Sequence, residues 1–215
     1  GACHSVGTTQ AAQELPDDSM DDATAYFRPL SSRHVGVEGI SEPARLLRVG
    51  CFSLFDGCGG LMVALSRLPL RVVLYCSAEV DSQATKLVER RWPGVIEYGD
   101  VCSAGPEQIA SIAAGAQRLL DFIIVGGGSP CQDASRLNRQ RRGAGGSRSK
   151  VVEHISRIAT LVRGHFEVPV LTFAENVASM DKHVEKQYTQ WMNTEPVLID
   201  SGIFGWVHRQ RTYWM

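Results

Sequence analysis

From residue 45 onward, short apolar runs alternate with segments of helical periodicity, and this alternation constrains the fold more than any other feature of the chain. Leu46 to Leu54 reads as a first strand, followed by the turn Phe55-Asp56-Gly57-Cys58-Gly59-Gly60. Leu61, Ala64, Leu65 and Leu68 then recur at i, i+3, i+4 and i+7, the apolar stripe of one helix face. Val72 to Tyr75 is a second strand, and Ser82 to Trp92 a second helix stopped by Pro93-Gly94. Val95 to Tyr98 makes a short third strand, and Pro106 to Leu120 a third helix with proline in its first turn. Asp121 to Val125 is a fourth strand, apolar enough to be buried on both faces, running into Gly126-Gly127-Gly128-Ser129-Pro130-Cys131. A Gly/Arg-rich loop over residues 132–150 precedes a helix from Val151 to Arg163. Val168 to Phe173 is a fifth strand, Asp181 to Met192 a helix, and Val197 to Asp200 a sixth strand. Such a β-α-β-α order implies an α/β fold, a doubly wound and mostly parallel sheet with helices on both faces.

The 215 residues suit one such domain. Residues 1–44 stand apart from it, without hydrophobic periodicity. Glu14, Asp17, Asp18, Asp21, Asp22, Glu38 and Glu42 face only Arg28 and Arg33, a net charge of −5. That composition reads as a flexible acidic linker that cannot bury enough apolar surface to order itself. Over the whole chain 22 basic residues nearly balance 23 acidic ones, so bulk charge neither implies nor excludes a polyanionic partner. No apolar run approaches the roughly 20 residues that cross a bilayer. Six scattered cysteines without a CxxC pair argue against a zinc site and a disulfide framework, and favour a reducing compartment. The start at Gly1 and the apolar stop at Thr212-Tyr213-Trp214-Met215 read as the ends of a piece of a longer gene product.

In doubly wound sheets ligands bind beyond the carboxyl ends of the strands, near a switch point. After the first strand, Phe55, Gly57, Gly59 and Gly60 let backbone approach a ligand at a helix start, or serve only for packing. Glu79 after the second strand is placed to bind ribose hydroxyls, a solvated loop carboxylate being the alternative, and Gly99-Asp100-Val101 after the third puts an acid where an adenine amino group could be held. The glycine turn is not G-x-x-x-x-G-K-[ST], so an adenosine-containing cofactor fits better than a nucleoside triphosphate. After the fourth strand, Pro130-Cys131 puts a thiol where it can meet substrate. The fifth strand ends in Glu175-Asn176-Val177, where desolvation can raise a carboxyl pKa and make a proton donor, unless Glu175 is simply a helix N-terminal acid.

Taken in order, Phe55-Asp56-Gly57-Cys58-Gly59-Gly60, Glu79, Gly99-Asp100-Val101, Ser129-Pro130-Cys131-Gln132, Glu175-Asn176-Val177 and His208-Arg209-Gln210-Arg211 resemble the motifs of the DNA (cytosine-5) methyltransferases. The resemblance runs over roughly residues 46–215 and implies the Rossmann-like fold of class I S-adenosylmethionine-dependent methyltransferases. Ser129 before Pro-Cys, and the His-Arg-x-Arg ending, look most like the de novo-type eukaryotic branch, whereas the Phe55–Gly60 turn looks closer to bacterial and maintenance-type members. The target-recognition region and the last motifs of the family would lie beyond Met215, which implies low or no activity for this segment alone.

The resemblance also implies roles. Cys131 would add to C6 of a flipped-out cytosine and make C5 nucleophilic; Glu175 would hold and protonate N3; Arg211 would contact O2, with Arg209 orienting the same pocket. S-adenosyl-L-methionine would lie against Phe55, Asp56, Gly57 and Gly59, with Glu79 on its ribose, Val80, Asp100 and Val101 at its adenine, and Pro130 beside it. Cys58 would be a packing residue. In the loop, Arg136, Arg139, Arg141 and Arg142, with Arg148 and Lys150, could contact DNA phosphates, although a solvated connection would look the same. Duplex DNA in the nucleus is the implied partner and place. Two alternatives stay open: a transfer-RNA cytosine-5 methyltransferase, whose branch usually carries Pro-Pro-Cys, and a catalytically silent regulatory homologue.

Overall fold

A computed structural model describes residues 45–129 and 153–215. The expected acidic linker, residues 1–44, lies outside the described residues, as does the Gly/Arg-rich loop. The elements in chain order are β1 (Leu47–Leu54), α1 (Gly60–Leu65), β2 (Leu70–Ala78), α2 (Ser82–Arg91), β3 (Ile96–Glu97), α3 (Pro106–Ala116), β4 (Phe122–Gly128), α4 (Glu153–His165), β5 (Val170–Val177), α5 (Lys182–Met192), β6 (Pro196–Asp200) and β7 (Gln210–Trp214). Short 3-10 turns follow α3 at Gln117–Leu119 and β6 at Ser201–Ile203.

One seven-stranded sheet runs in the order β3-β2-β1-β4-β5-β7-β6. Neighbours from β3 to β5 pair in parallel, and β7 inserts antiparallel between β5 and β6. The fold is the α/β, Rossmann-like and mostly parallel one expected. Strand order reverses between β1 and β4, so the crevice for a ligand lies at their carboxyl ends. Val49, Phe52, Leu54, Ile123 and Val125 are almost wholly buried along these two strands, and the core of one face extends to Ile109, Ile155, Ile158 and Val162 on α3 and α4. On the other face Cys51 and Tyr75 pack under Leu65 of α1 and Val88 of α2.

Local chemistry explains several boundaries. The Asp81 side chain accepts from the Gln83 and Ala84 amides and caps α2. Asn193 adopts a left-handed conformation and ends α5. Other boundaries differ from the sequence reading. Leu68 belongs to the apolar series but lies outside α1 and is 52% exposed. Strands β4 and β5 continue past their apolar runs, because Gly126, Gly127 and Gly128 pair with Phe173, Ala174 and Glu175. Glu175 and Asn176 therefore sit within a strand, not beyond its end.

Candidate active site

The turn after β1 is held by strained backbone and a buried carboxylate. Phe55 has φ +57, a conformation costly for a bulky residue, of the order of 1–3 kcal/mol, and the surrounding structure must enforce it. Asp56 does the enforcing. Its carboxylate is buried and accepts from Ser53 Oγ at 2.5 Å, Ser77 Oγ at 2.8 Å and the Tyr75 hydroxyl, while its backbone amide donates to the Ala78 carbonyl. The Asp56 side chain is thus spent on β1 and β2, although the residue borders the cleft described below. Gly59 directly precedes α1, with φ +78, and a Cβ there would run into the Trp92 ring. Glycine is demanded at that position by packing against Trp92 as well as by backbone conformation.

Glu79, at the end of β2, reaches across the turn. Its Oε2 accepts from the Gly57 amide at 2.8 Å and its Oε1 from the amides of Val80 and Asp81. A carboxylate offers about four acceptor sites, so Oε2 retains one for a sugar hydroxyl. Val80 is exposed, and the Asp100 carboxylate accepts from the Cys102 amide. Val101 is buried, its side chain packed into the core. What sequence reasoning missed here is Arg157 of α4, which donates to the carbonyls of Val101 and Ala104, each at 2.6 Å, and fixes the loop after β3. Its signal was a guanidinium set among the buried Ile155, Ile158 and Ala159 of an amphipathic helix. The acceptor set at the ends of β2 and β3, with open space beside Gly57, fits an adenosine with its sugar hydroxyls and amino group as donors.

Beyond the ends of β4 and β5, a cleft of about 610 Å3 opens beside α1. Phe55, Leu61, Gly128, Glu175, Arg209 and Arg211 are among its lining residues. Arg211 Nε lies 2.7 Å from Glu175 Oε1, both side chains mostly buried. A Cβ on Gly128 would collide with the other Glu175 oxygen, so the last glycine of β4 makes room for the carboxylate. Burial pushes the Glu175 carboxyl above the usual range, and the Arg211 and Arg209 charges only partly offset it. Arg209 is exposed at the mouth, where its amide donates to Asp200 Oδ1 at 3.0 Å. That carboxylate also accepts from the Gly202 amide and faces His208, which braces the β6–β7 loop. The loop presents Ile203, Phe204, Trp206 and Val207 to solvent.

The structure therefore brings Phe55, Asp56, Glu175, Arg209 and Arg211 to one cleft, and joins Gly57 to Glu79 beside it. Val80, Asp100 and Val101 do not line that cleft. Pro130, Cys131, Arg136, Arg139, Arg141 and Arg142 lie outside the described residues; β4 delivers the chain to Ser129, two residues before Cys131. Cys58, expected to pack in the turn, is exposed: it lies between two left-handed glycines, Gly57 and Gly59, outside the strand and helix that form the core. Burial pushes the Cys76 thiol up to about 12 and the Cys51 thiol higher still, so neither offers a ready thiolate. Among the described residues no group of acidic, cysteine and histidine side chains could hold a metal ion, and no helix is long and apolar enough to cross a membrane.

Comparison with known proteins bears on the family and the fold. The chain is 29% identical over 169 residues to DNA (cytosine-5)-methyltransferase DRM1 of Arabidopsis thaliana, covering 74% of this chain and 24% of that protein. To DNA (cytosine-5)-methyltransferase DRM1A of Oryza sativa subsp. japonica it is 32% identical over 152 residues, covering 65% and 31%. The chain thus spans about a quarter to a third of the length of these curated relatives. Among solved structures, the Entamoeba histolytica methyltransferase EhMeth superposes with a TM-score of 0.55 at 17% identity, over 79% of this chain and 52% of that one. The S. pombe Dnmt2 methyltransferase gives 0.50 at 16%, over 79% and 48%. Those structural likenesses speak for the fold alone. The model of the C-5 cytosine-specific DNA methylases matches residues 49–196, and the chain belongs to that family.

Proposed function

We propose that residues 45–215 form the N-terminal part of a catalytic domain that transfers a methyl group from S-adenosyl-L-methionine to C5 of cytosine in DNA. The observation that carries this reading is the Glu175–Arg211 pair: a carboxyl of raised proton affinity beside a fixed guanidinium, in the cleft that begins at the Phe55 turn. A cytosine offers N3 as an acceptor and O2 as another, and this pair supplies a proton for the first and donors for the second. Cys131 would add as thiolate to C6, while Glu175 protonates N3 and so neutralises the charge created by addition. C5, now nucleophilic, takes the methyl; a base removes the C5 proton, the C6–sulfur bond breaks, and Cys131 is regenerated.

The bound cofactor supplies an electrophilic methyl on a sulfonium. Glu79 would accept from its ribose, the Phe55 ring would pack against it, and Gly57 and Gly59 would keep the turn low enough for contact. Val80, Asp100 and Val101, with Pro130, would complete its surroundings; the exposed Val80 is free to lie on a purine face.

The target base cannot react inside a duplex, so it must be flipped out at a cost of a few kcal/mol. Arg136, Arg139, Arg141 and Arg142 would contact phosphates and lower that cost, making binding steeply salt-dependent. The exposed Phe204 and Trp206 would lie on the nucleic-acid side of the cleft. Such an enzyme would work in the nucleus, and residues 1–44 would tether the domain as an acidic linker.

The test is to incubate the full-length protein with tritiated S-adenosyl-L-methionine and, separately, duplex DNA and total transfer RNA. Label in DNA is expected. Label in RNA alone would move the substrate to transfer RNA, and label in neither, with cofactor binding retained, would favour a regulatory homologue.

A further inference from the structure

Behind the cleft, on the opposite face of the sheet, three buried polar side chains are hydrogen-bonded to one another. Asn176 Nδ2 donates toward the Tyr188 hydroxyl at 2.9 Å, Ser129 Oγ at 3.1 Å and the Ser129 carbonyl at 3.3 Å. Ser129 Oγ and the Tyr188 hydroxyl are 2.9 Å apart, and Asn176 Oδ1 accepts from the Val177 amide at 2.7 Å. Their relative exposures are 5% for Ser129, 1% for Asn176 and 0% for Tyr188. The Tyr188 ring is itself wedged against Trp214 and Trp191, with centroids 4.9 and 6.0 Å away.

The placement of this cluster gives it a function beyond packing. Ser129 directly follows β4, and in sequence Cys131 comes two residues later, a separation of at most about 7 Å along the chain. Asn176 directly follows Glu175 on β5, and successive strand residues face opposite sides of the sheet. One hydroxyl on α5 thus ties together the exit of β4 and the strand segment that aims Glu175. No other described side chain bonds to both Ser129 and Asn176. A buried polar cluster with its partners in place also favours one arrangement over slipped alternatives, because each displaced group would lose its bond where water cannot replace it.

We infer that Tyr188 is a positioning residue for methyl transfer: its hydroxyl, through Ser129 and Asn176, fixes the exit of β4, from which the chain continues to Cys131, relative to the strand segment that carries Glu175. The inference rests on the assignment of Cys131 and Glu175 proposed above. It implies that loss of the hydroxyl harms the chemical step while the cofactor turn, on the far side of β1, stays intact.

The test is Tyr188→Phe in the full-length protein, which keeps the ring and its contacts with Trp214 and Trp191. Expected is a fall of about tenfold or more in the single-turnover rate of methyl transfer to duplex DNA, with S-adenosyl-L-methionine affinity within about twofold of wild type. Adding Ser129→Ala to Tyr188→Phe should cost little more, since both act through one cluster. Hydrogen exchange should rise in segments 122–129 and 170–177 and not in β1 or β2. A rate within twofold of wild type, or a uniform rise in exchange across the sheet, would overturn the inference. If the wild-type protein itself transfers no methyl group, the functional reading fails. Exchange, which needs no activity, then still decides whether Tyr188 holds the two strand ends.

Discussion

Glu175 and Arg211 meet diagonally across the antiparallel pairing of β5 with β7. Glu175 stands opposite Tyr213, and Arg211 opposite Val177, so the two charged side chains share the cleft face while Asn176 and Thr212 turn to the other. Their 2.7 Å contact is made possible by β7 entering the sheet in the reverse sense. A parallel strand at that position would pair in a different register and would not bring the same side chains together.

The pair predicts a pH dependence. Burial raises the Glu175 pKa, so its protonated form persists above the usual carboxylate range and is lost as pH rises through the raised value. Methyl transfer that uses this proton should decline over the same interval. Arg211→Ala removes a charge that lowers the Glu175 pKa, so the decline should shift to higher pH, on top of a lower maximal rate. Glu175→Gln should abolish that limb and reduce the rate by about 10²–10⁴-fold. The stability effect has the same sign: wild type should lose stability relative to Glu175→Gln as pH rises through the raised pKa. Rate profiles and urea unfolding across pH check both.

The buried Asp56 carboxylate predicts a stability effect separate from catalysis. Tyr75→Phe removes one of its three hydroxyl donors and should cost about 1.5–3 kcal/mol, the range for hydrogen bonds to a charged group. Because Asp56 holds Phe55 in its strained conformation, cofactor affinity should fall as well. Urea unfolding and titration calorimetry on the same variant separate the two effects.

Much of this architecture was legible in the sequence because β1, β2 and β4 centre on Val, Ile, Leu and Phe and are bounded by turn residues. Alternation with helical periods then implies a parallel sheet. Strand ends were harder to read. Gly126, Gly127 and Gly128 have low strand propensity, yet pairing with β5 keeps them in β4; the neighbour decides, not the residue. The site was legible where a motif places an acid or a glycine at a strand end, as at Glu79 and Phe55. Tyr188 and Arg157 were not: the apolar neighbours of Arg157 mark a guanidinium on a buried helix face, but nothing local names a partner some fifty residues away. Asp56 was legible as a site residue but not as one whose carboxylate is taken up by Ser53, Tyr75 and Ser77.

Gly59 should tolerate no side chain. Gly59→Ala combines a left-handed backbone with a collision against Trp92 and should destabilise by about 2 kcal/mol or more. Trp92→Ala alone is destabilising, but in the Gly59→Ala background the added loss should be smaller than in wild type. A double-mutant cycle by urea unfolding reads that coupling.

Arg157→Ala should loosen the loop after β3, since it deletes two charge-assisted bonds to the Val101 and Ala104 carbonyls. S-adenosyl-L-methionine affinity should drop about tenfold, a loss of 1.4 kcal/mol, while the affinity for duplex DNA without cofactor stays unchanged. Calorimetry with each ligand tests the distinction.

The most direct test of the central claim is covalent trapping. Full-length protein is incubated with S-adenosyl-L-methionine and a duplex carrying 5-fluorocytosine, whose C5 fluorine cannot leave as a proton does, and the denatured mixture is digested and mapped by mass spectrometry. The account predicts a stable adduct on the peptide containing Cys131, absent in Cys131→Ser and strongly reduced in Glu175→Gln. An adduct on a different cysteine, or methylation of ordinary duplex DNA with no trapped species at all, would contradict it.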